Sequence, residues 1–152
     1  MDIHEILYAY CRQADLLNAD ANPGYFTDDC AAAYVPPGMA PAFRSTMELV
    51  DFLNAYFPNT VSSSHRISNV ELLFDTPDAV TAHSYMYSSS WQRFRGFPAA
   101  ADCHRWGRYE IRLRRTTGGW KMSHMLLLSA GEYGGGRIGE QFGRPWPSRF
   151  DS

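Results

Sequence analysis

Apolar residues open the chain at helical spacing. Ile3, Ile6, Leu7, Tyr10, Cys11, Ala14 and Leu17 share one stripe, which predicts an amphipathic helix over residues 3–18. Asp2 followed by Glu5 supplies a capping-box start. Asp15 lies on the flank of the stripe, one turn beyond Cys11, where core can give way to a cavity. Asn22-Pro23-Gly24 breaks the pattern. Residues 25–29 then read as a short helix or turn, with Asp28 and Asp29 as cap or turn residues, leading into a strand over 30–35 that carries Tyr34. Pro36-Pro37-Gly38 ends that strand, and the loop through Phe43 has the character of a lid. Ser45 with Glu48 repeats the cap signature. Met47, Leu49, Val50, Phe52, Leu53, Tyr56 and Phe57 predict a second helix that Pro58 stops.

Past a serine-rich connection the period changes from helical to alternating. Residues 65–74 predict a first long strand, 79–94 a second, 105–116 a third and 120–129 a fourth, with residues 96–104 as a loop and Thr117-Gly118-Gly119 as a hairpin turn. Side chains alternate across a strand. Val70, Leu72 and Phe74 are therefore expected on one face, and His65, Ile67 and Asn69 on the other. A histidine and an asparagine flanking an isoleucine suit neither a plain core nor a plain solvent face; they suit a pocket wall. Helix, helix, then a run of long antiparallel strands indicates an α+β fold with helices packed on one face of a sheet.

Length and composition narrow the picture. At 152 residues, with 45% hydrophobic and 20% charged residues, the chain reads as one globular domain. Aromatics at 14% can furnish a core or an apolar ligand cavity. A net charge of −2 argues against nucleic-acid binding, and the arginines between Arg105 and Arg115, divided between two faces, read as a solvated rim. No apolar run approaches the ~20 residues that span a bilayer, so no membrane partner is expected. Cys11, Cys30 and Cys103 are odd in number and lack CxxC spacing, which implies a reducing, cytoplasmic setting and no zinc site. From Ala130 the chain turns glycine-rich and aromatic. Gly134-Gly135-Gly136 lacks the ending of a phosphate loop, whereas Trp146 and Phe150 imply a tail, residues 131–152, packed on the domain of residues 1–130 or on a partner subunit.

Five stretches carry a resemblance: residues 10–15 followed by Tyr25-Phe26-Thr27-Asp28-Asp29; His65-Arg66-Ile67-Ser68-Asn69; Trp91-Gln92-Arg93-Phe94; Gly107-Arg108-Tyr109-Glu110; and Gly119-Trp120-Lys121-Met122. In order and spacing they resemble the SnoaL-like branch of the nuclear-transport-factor-2-like superfamily. The resemblance implies a cone of N-terminal helices on a strongly bent, mostly antiparallel sheet around one apolar pocket; the element order and the apolar residues on both strand faces point to a homodimer through the outer sheet face. Within that superfamily the chain is similar to scytalone dehydratase and bile-acid dehydratase. Their sites pair an aspartate on the first helix with a histidine on a strand, helped by tyrosines; here Asp15, His65 and Tyr34 match. Ala14 stands where scytalone dehydratase has a tyrosine, and Trp91 where a second histidine is expected, which points to a different substrate.

The resemblance thus implies a cofactor-independent enzyme with no metal. It would act on a hydrophobic carbonyl compound, a polyketide, steroid or terpenoid intermediate of secondary metabolism, by dehydration, isomerisation or cyclisation. Asn69, Trp91, Phe26, Phe52, Tyr56 and Arg108 are the candidate substrate-binding residues. The chemistry follows from the residue types: a carboxylate bonded to one imidazole nitrogen fixes the tautomer, and the other nitrogen can then move a proton beside a carbonyl. Tyr34 or Asn69 could donate to the resulting enolate oxygen. Two other functions fit the same cone: a non-catalytic module binding a small molecule or protein, and an accessory subunit resembling the small subunit of ring-hydroxylating dioxygenases. A hydrogen-bonded Asp15–His65 pair opening into a cavity favours the enzyme.

Overall fold

In the computed structural model, which describes residues 2–35, 42–93 and 100–134, helix α1 covers Ile3–Asp15 and begins with the expected reciprocal cap: the Asp2 carboxylate accepts from the Glu5 backbone N–H, and the Glu5 carboxylate accepts from that of Asp2. It ends earlier than the apolar stripe suggests, because Leu17 turns into the left-handed region at φ 56°. A 3-10 turn, Ala19–Gly24, follows, and strand β1 occupies Phe26–Val35. The stretch 25–29, expected as a helix or turn, is therefore mostly strand, and Asp29 pairs with Arg114 rather than capping anything. Helix α2, Thr46–Tyr56, is capped by Ser45, which accepts from the Glu48 N–H. The Glu48 carboxylate accepts instead from the Arg44 N–H, at 2.7 Å.

Four long strands complete the chain: β2 Thr60–Thr76, β3 Ala79–Arg93, β4 Ala100–Thr116 and β5 Gly119–Gly134. They form one sheet in the order β1-β5-β4-β3-β2. Only β1 and β5 run parallel, so the sheet is mixed, mostly antiparallel and curled. Strands β1, β2, β4 and β5 exceed their expected bounds, whereas β3 starts at Ala79 as expected and runs to Arg93. The serines at 62–64 join β2 by pairing with Trp91, Ser90 and Ser89, and β4 starts at Ala100, inside the stretch expected as a loop. Strand β5 passes through residue 130 to Gly134. Trp146, Phe150 and the Pro36-Pro37-Gly38 stretch fall outside the described residues.

One face of the sheet carries the core. The stripe of α1, with Ile3, Ile6, Leu7, Tyr10 and Cys11, packs there together with Leu49 of α2 and Val80, Ala82, Met86, Ile111, Leu113, Met122, Met125 and Leu127 of the strands. Residues of β4 at positions 103, 105, 107, 109, 111 and 113 are all buried, an unbroken alternation over half the strand. Strand β2 breaks its own alternation. A bulge between Ser68 and Glu71 leaves Asn69 at φ 53°, a conformation asparagine tolerates better than most residues. The extra residue returns Val70 and Leu72 to the same packed face as Ile67, whereas strict alternation would have put them on the other side. Asn69 is exposed as a result. No helix among the described residues is long and apolar enough to cross a membrane.

Candidate active site

An opening lies between the helices and the packed face of the sheet. Tyr10 and Ala14 of α1, Phe52 and Tyr56 of α2, and His65 of β2 all line it. Its volume of about 90 Å3 is several times what a single water requires. The aromatic wall is layered: Phe52 lies 5.0 Å from Phe43 and stacks nearly parallel on Tyr56 at 6.0 Å. The opposite wall is polar, with Ser63, Ser88 and Ser90 from the paired serine stretches of β2 and β3.

Asp15 is the last residue of α1, and α1 packs against β2. A carboxylate there faces the negative end of the helix dipole, an unfavourable place for it without a cationic or hydrogen-bonding partner. His65 is that partner: its Nδ1 lies 2.7 Å from Asp15 Oδ1, and both side chains are partly buried. The Ser63 hydroxyl stands 3.5 Å from the same nitrogen. With the carboxylate ionised, Nδ1 carries the proton and donates it, leaving the lone pair on Nε2. His65 lines the cavity, and its Nε2 has no hydrogen-bond partner among the described residues.

The other candidate residues divide. Phe52 and Tyr56 line the cavity. Phe26 does not: it is completely buried, packed edge-on against Tyr10 at 5.5 Å, and it supports the wall from behind. Trp91 belongs to the opposite face of the sheet from His65 and is half exposed, because its strand position is odd while the cavity takes Met86, Ser88 and Ser90 from β3. The bulge sends Asn69 away, and Asn69 and Arg108 line a separate groove with Glu71, His83 and Tyr85. A shared cavity for His65, Asn69, Trp91 and Arg108 is therefore corrected. Tyr34 pairs with Leu127 in the sheet register; its side chain lies outside the described residues.

Arg105, expected on a solvated rim, is instead indoors, which corrects that expectation for this residue. Arg112, Arg114 and Arg115 are exposed, pairing with Glu110, Asp29 and Asp78. Arg105 is only 7% exposed, lines the cavity, and holds Glu132 at 3.3 Å between Nη2 and Oε2. Counting back in twos from Ile111 and Leu113 would have placed it indoors. Tyr109, on the same count, is a second missed lining residue.

The three cysteines are free and buried. Burial pushes the Cys11 thiol up to about 12, with the nearby Asp15 carboxylate adding to the effect. Burial also raises Cys30 and Cys103, although Arg105 pulls Cys103 partly back. A raised thiol pKa keeps the unreactive protonated form at neutral pH. Folded protein at pH 8 is expected to react with a disulfide thiol reagent far more slowly than protein unfolded in guanidinium. A fast phase of three thiols in the folded protein would contradict this.

The SnoaL-like domain family model matches residues 1–126. No curated protein matches the sequence significantly. Among solved structures, a protein from Novosphingobium aromaticivorans provisionally named a scytalone dehydratase is similar, with a TM-score of 0.75 at 18% identity over 86% of this chain and 83% of its own. A provisionally named aromatic ring hydroxylase from the same organism has a TM-score of 0.79 at 19% identity, covering 90% and 93%. The hexachlorocyclohexane dehydrochlorinase of Novosphingobium barchaimii has a TM-score of 0.73 at 14% identity, covering 87% and 86%. At these identities the likeness is one of fold.

Proposed function

Because the chain belongs to the SnoaL-like domain family, we propose that it is a cofactor-independent lyase or isomerase in which His65 is the acid–base group and Asp15 orients it. The observation that carries this reading is the 2.7 Å Asp15–His65 hydrogen bond at the edge of an apolar cavity. A module that only binds an apolar ligand has no use for a carboxylate set at the wrong end of a helix to hold an imidazole. The substrate in this reading is a hydrophobic carbonyl compound of the polyketide, steroid or terpenoid type. Nε2 takes a proton from the carbon beside the carbonyl. The C–H electron pair becomes a C=C bond, and the charge moves to the oxygen, to which Tyr34 is assigned as hydrogen-bond donor. In a dehydration the imidazolium returns the proton to the β-hydroxyl as its C–O bond breaks, so water leaves and no co-reactant is consumed. Isomerisation or ring closure uses the same first step. Names of similar structures, a dehydratase and a dehydrochlorinase, fit proton abstraction followed by loss of a leaving group.

The free thiols fit a cytoplasmic setting. The exposed Tyr85, Tyr87, Trp91 and Trp106 on the outer sheet face fit a homodimer through that face. Exchange of α-protons for deuterium, followed by NMR on 1-tetralone and on β-hydroxy ketones in heavy water, tests the chemistry. The wild type is expected to accelerate exchange and the His65→Ala protein to lose that acceleration. Equal exchange by the two proteins would refute the role of His65.

A further inference from the structure

The register of the sheet sets four polar residues in one transverse row. His65 of β2 pairs with Ser88 of β3, Ser88 with Arg105 of β4, and Arg105 with Glu132 of β5. Asp15 closes the row at the His65 end. Directly paired residues share a sheet face, and His65, Ser88 and Arg105 all line the cavity. Neighbouring strands lie roughly 4.8 Å apart, so the backbones of His65 and Arg105 are about 10 Å apart with only a serine between them. Their side chains enter one small cavity from positions two strands apart.

We propose that Arg105 binds the oxygen of the substrate, and that the cavity therefore selects a neutral carbonyl compound able to form an enolate over a hydrocarbon or haloalkane of the same shape. The proposal rests on the reading of Asp15–His65 as the acid–base pair and adds the residue that binds the oxygen of that substrate. A guanidinium is donor-only and always charged, so what it recognises in a cavity is an acceptor such as a carbonyl or enolate oxygen. Fold stability alone does not account for it. Apolar residues of similar volume commonly serve as well as a buried ion pair or better, and Met86 and Leu127 already wall the same space. Glu132 holds the guanidinium from the side away from His65 and balances its charge. The pair then has no net charge to attract a carboxylate, while a guanidinium with five N–H groups can present one to an oxygen that gains charge only as His65 removes the proton. Ser88, between the two, can donate a second hydrogen bond to the same oxygen.

The test uses 4-fluorophenol as an enolate-like probe and fluorobenzene as its oxygen-free control, with binding and ionisation followed by 19F NMR. Wild-type protein is expected to bind the phenol about 10- to 100-fold more tightly, the range of a charge-assisted hydrogen bond, and to ionise the bound phenol at a lower pH than in free solution. Arg105→Gln is expected to lose both the preference and the ionisation shift while retaining its affinity for fluorobenzene. Arg105→Lys, which keeps the charge but not the planar fork, is expected to fall between them. Equal affinity of the wild type for both probes, binding of neither, or an equal loss for both in Arg105→Gln overturns the proposal. If thermal melting shows that Arg105→Gln does not fold, the wild-type preference and Arg105→Lys decide. No carbon–hydrogen bond breaks in this titration, so it can fail while the His65→Ala exchange result stands, and the reverse.

Discussion

The His65→Ala protein is expected to lose roughly 10²–10⁴-fold in turnover, the usual contribution of a positioned acid–base group, while keeping its fold. His65 is only partly buried, and its one short hydrogen bond is to Asp15, so removing the ring opens little of the core. Asp15→Asn is expected to lose much of the same activity for a different reason. An amide can present its NH2 group to Nδ1, which favours the tautomer with the proton on Nε2 and takes away the lone pair that does the work. The two effects should not add. Once the imidazole is gone, the carboxylate has nothing to orient, so the double variant should be about as slow as His65→Ala alone. Asp28→Asn, exposed on β1, should be nearly silent. Steady-state rates on any ketone whose α-protons the wild type exchanges supply the cycle. Full additivity of Asp15→Asn and His65→Ala would mean the two residues act separately and would remove the basis for treating them as one unit.

The helical part of this arrangement was legible because its signals are local. The α1 stripe, its cap and the proline after α2 are read from neighbours a few residues apart, and the structure keeps them with shifts of a residue or three at the ends. Asp15 and His65 were legible as residue types, from a carboxylate at a stripe's edge and a histidine in a half-apolar strand. Their meeting was not, since the contact spans 50 positions. The strand ends were misjudged where pairing is remote. Serines have weak strand preference, and residues 62–64 extend β2 only because Trp91, Ser90 and Ser89 lie opposite them. Asn69 shows the sharper lesson. A period-2 count fails at one inserted residue, and every side chain beyond a bulge then changes face. Arg105 shows the converse. Strand β4 holds its alternation through residue 113, and the count alone puts a guanidinium indoors; what obscures it is that arginines are mostly exposed and almost never fully buried unless paired.

Gly107 is where the largest stability effect is expected. It lies between Arg105 and Tyr109 on the buried side of β4, at the point where the register with β5 shifts. A Cβ placed there would collide with the Leu128 carbonyl oxygen and stand 3.0 Å from the Ser129 Cα. Both are backbone atoms, so no side chain can rotate away and the two strands must separate. Gly107→Ala is expected to cost about 2–4 kcal/mol, the range of overpacked or strained sites, and to lower Tm by on the order of 5–15 °C. Gly131 supplies the control. A Cβ there would meet the Trp106 ring, but Trp106 is exposed and its ring can turn aside, so Gly131→Ala should cost distinctly less. The damage at Gly107 should also reach the cavity. Spreading β4 from β5 moves Arg105 relative to Glu132, its partner in register, so any folded Gly107→Ala protein should lose preference for 4-fluorophenol over fluorobenzene before it loses the Asp15–His65 contact, which belongs to α1 and β2. Thermal melting and the 19F titration on the same samples separate the two effects. A Gly107→Ala protein as stable as wild type would show that the approach of Leu128 to residue 107 does not constrain the sheet.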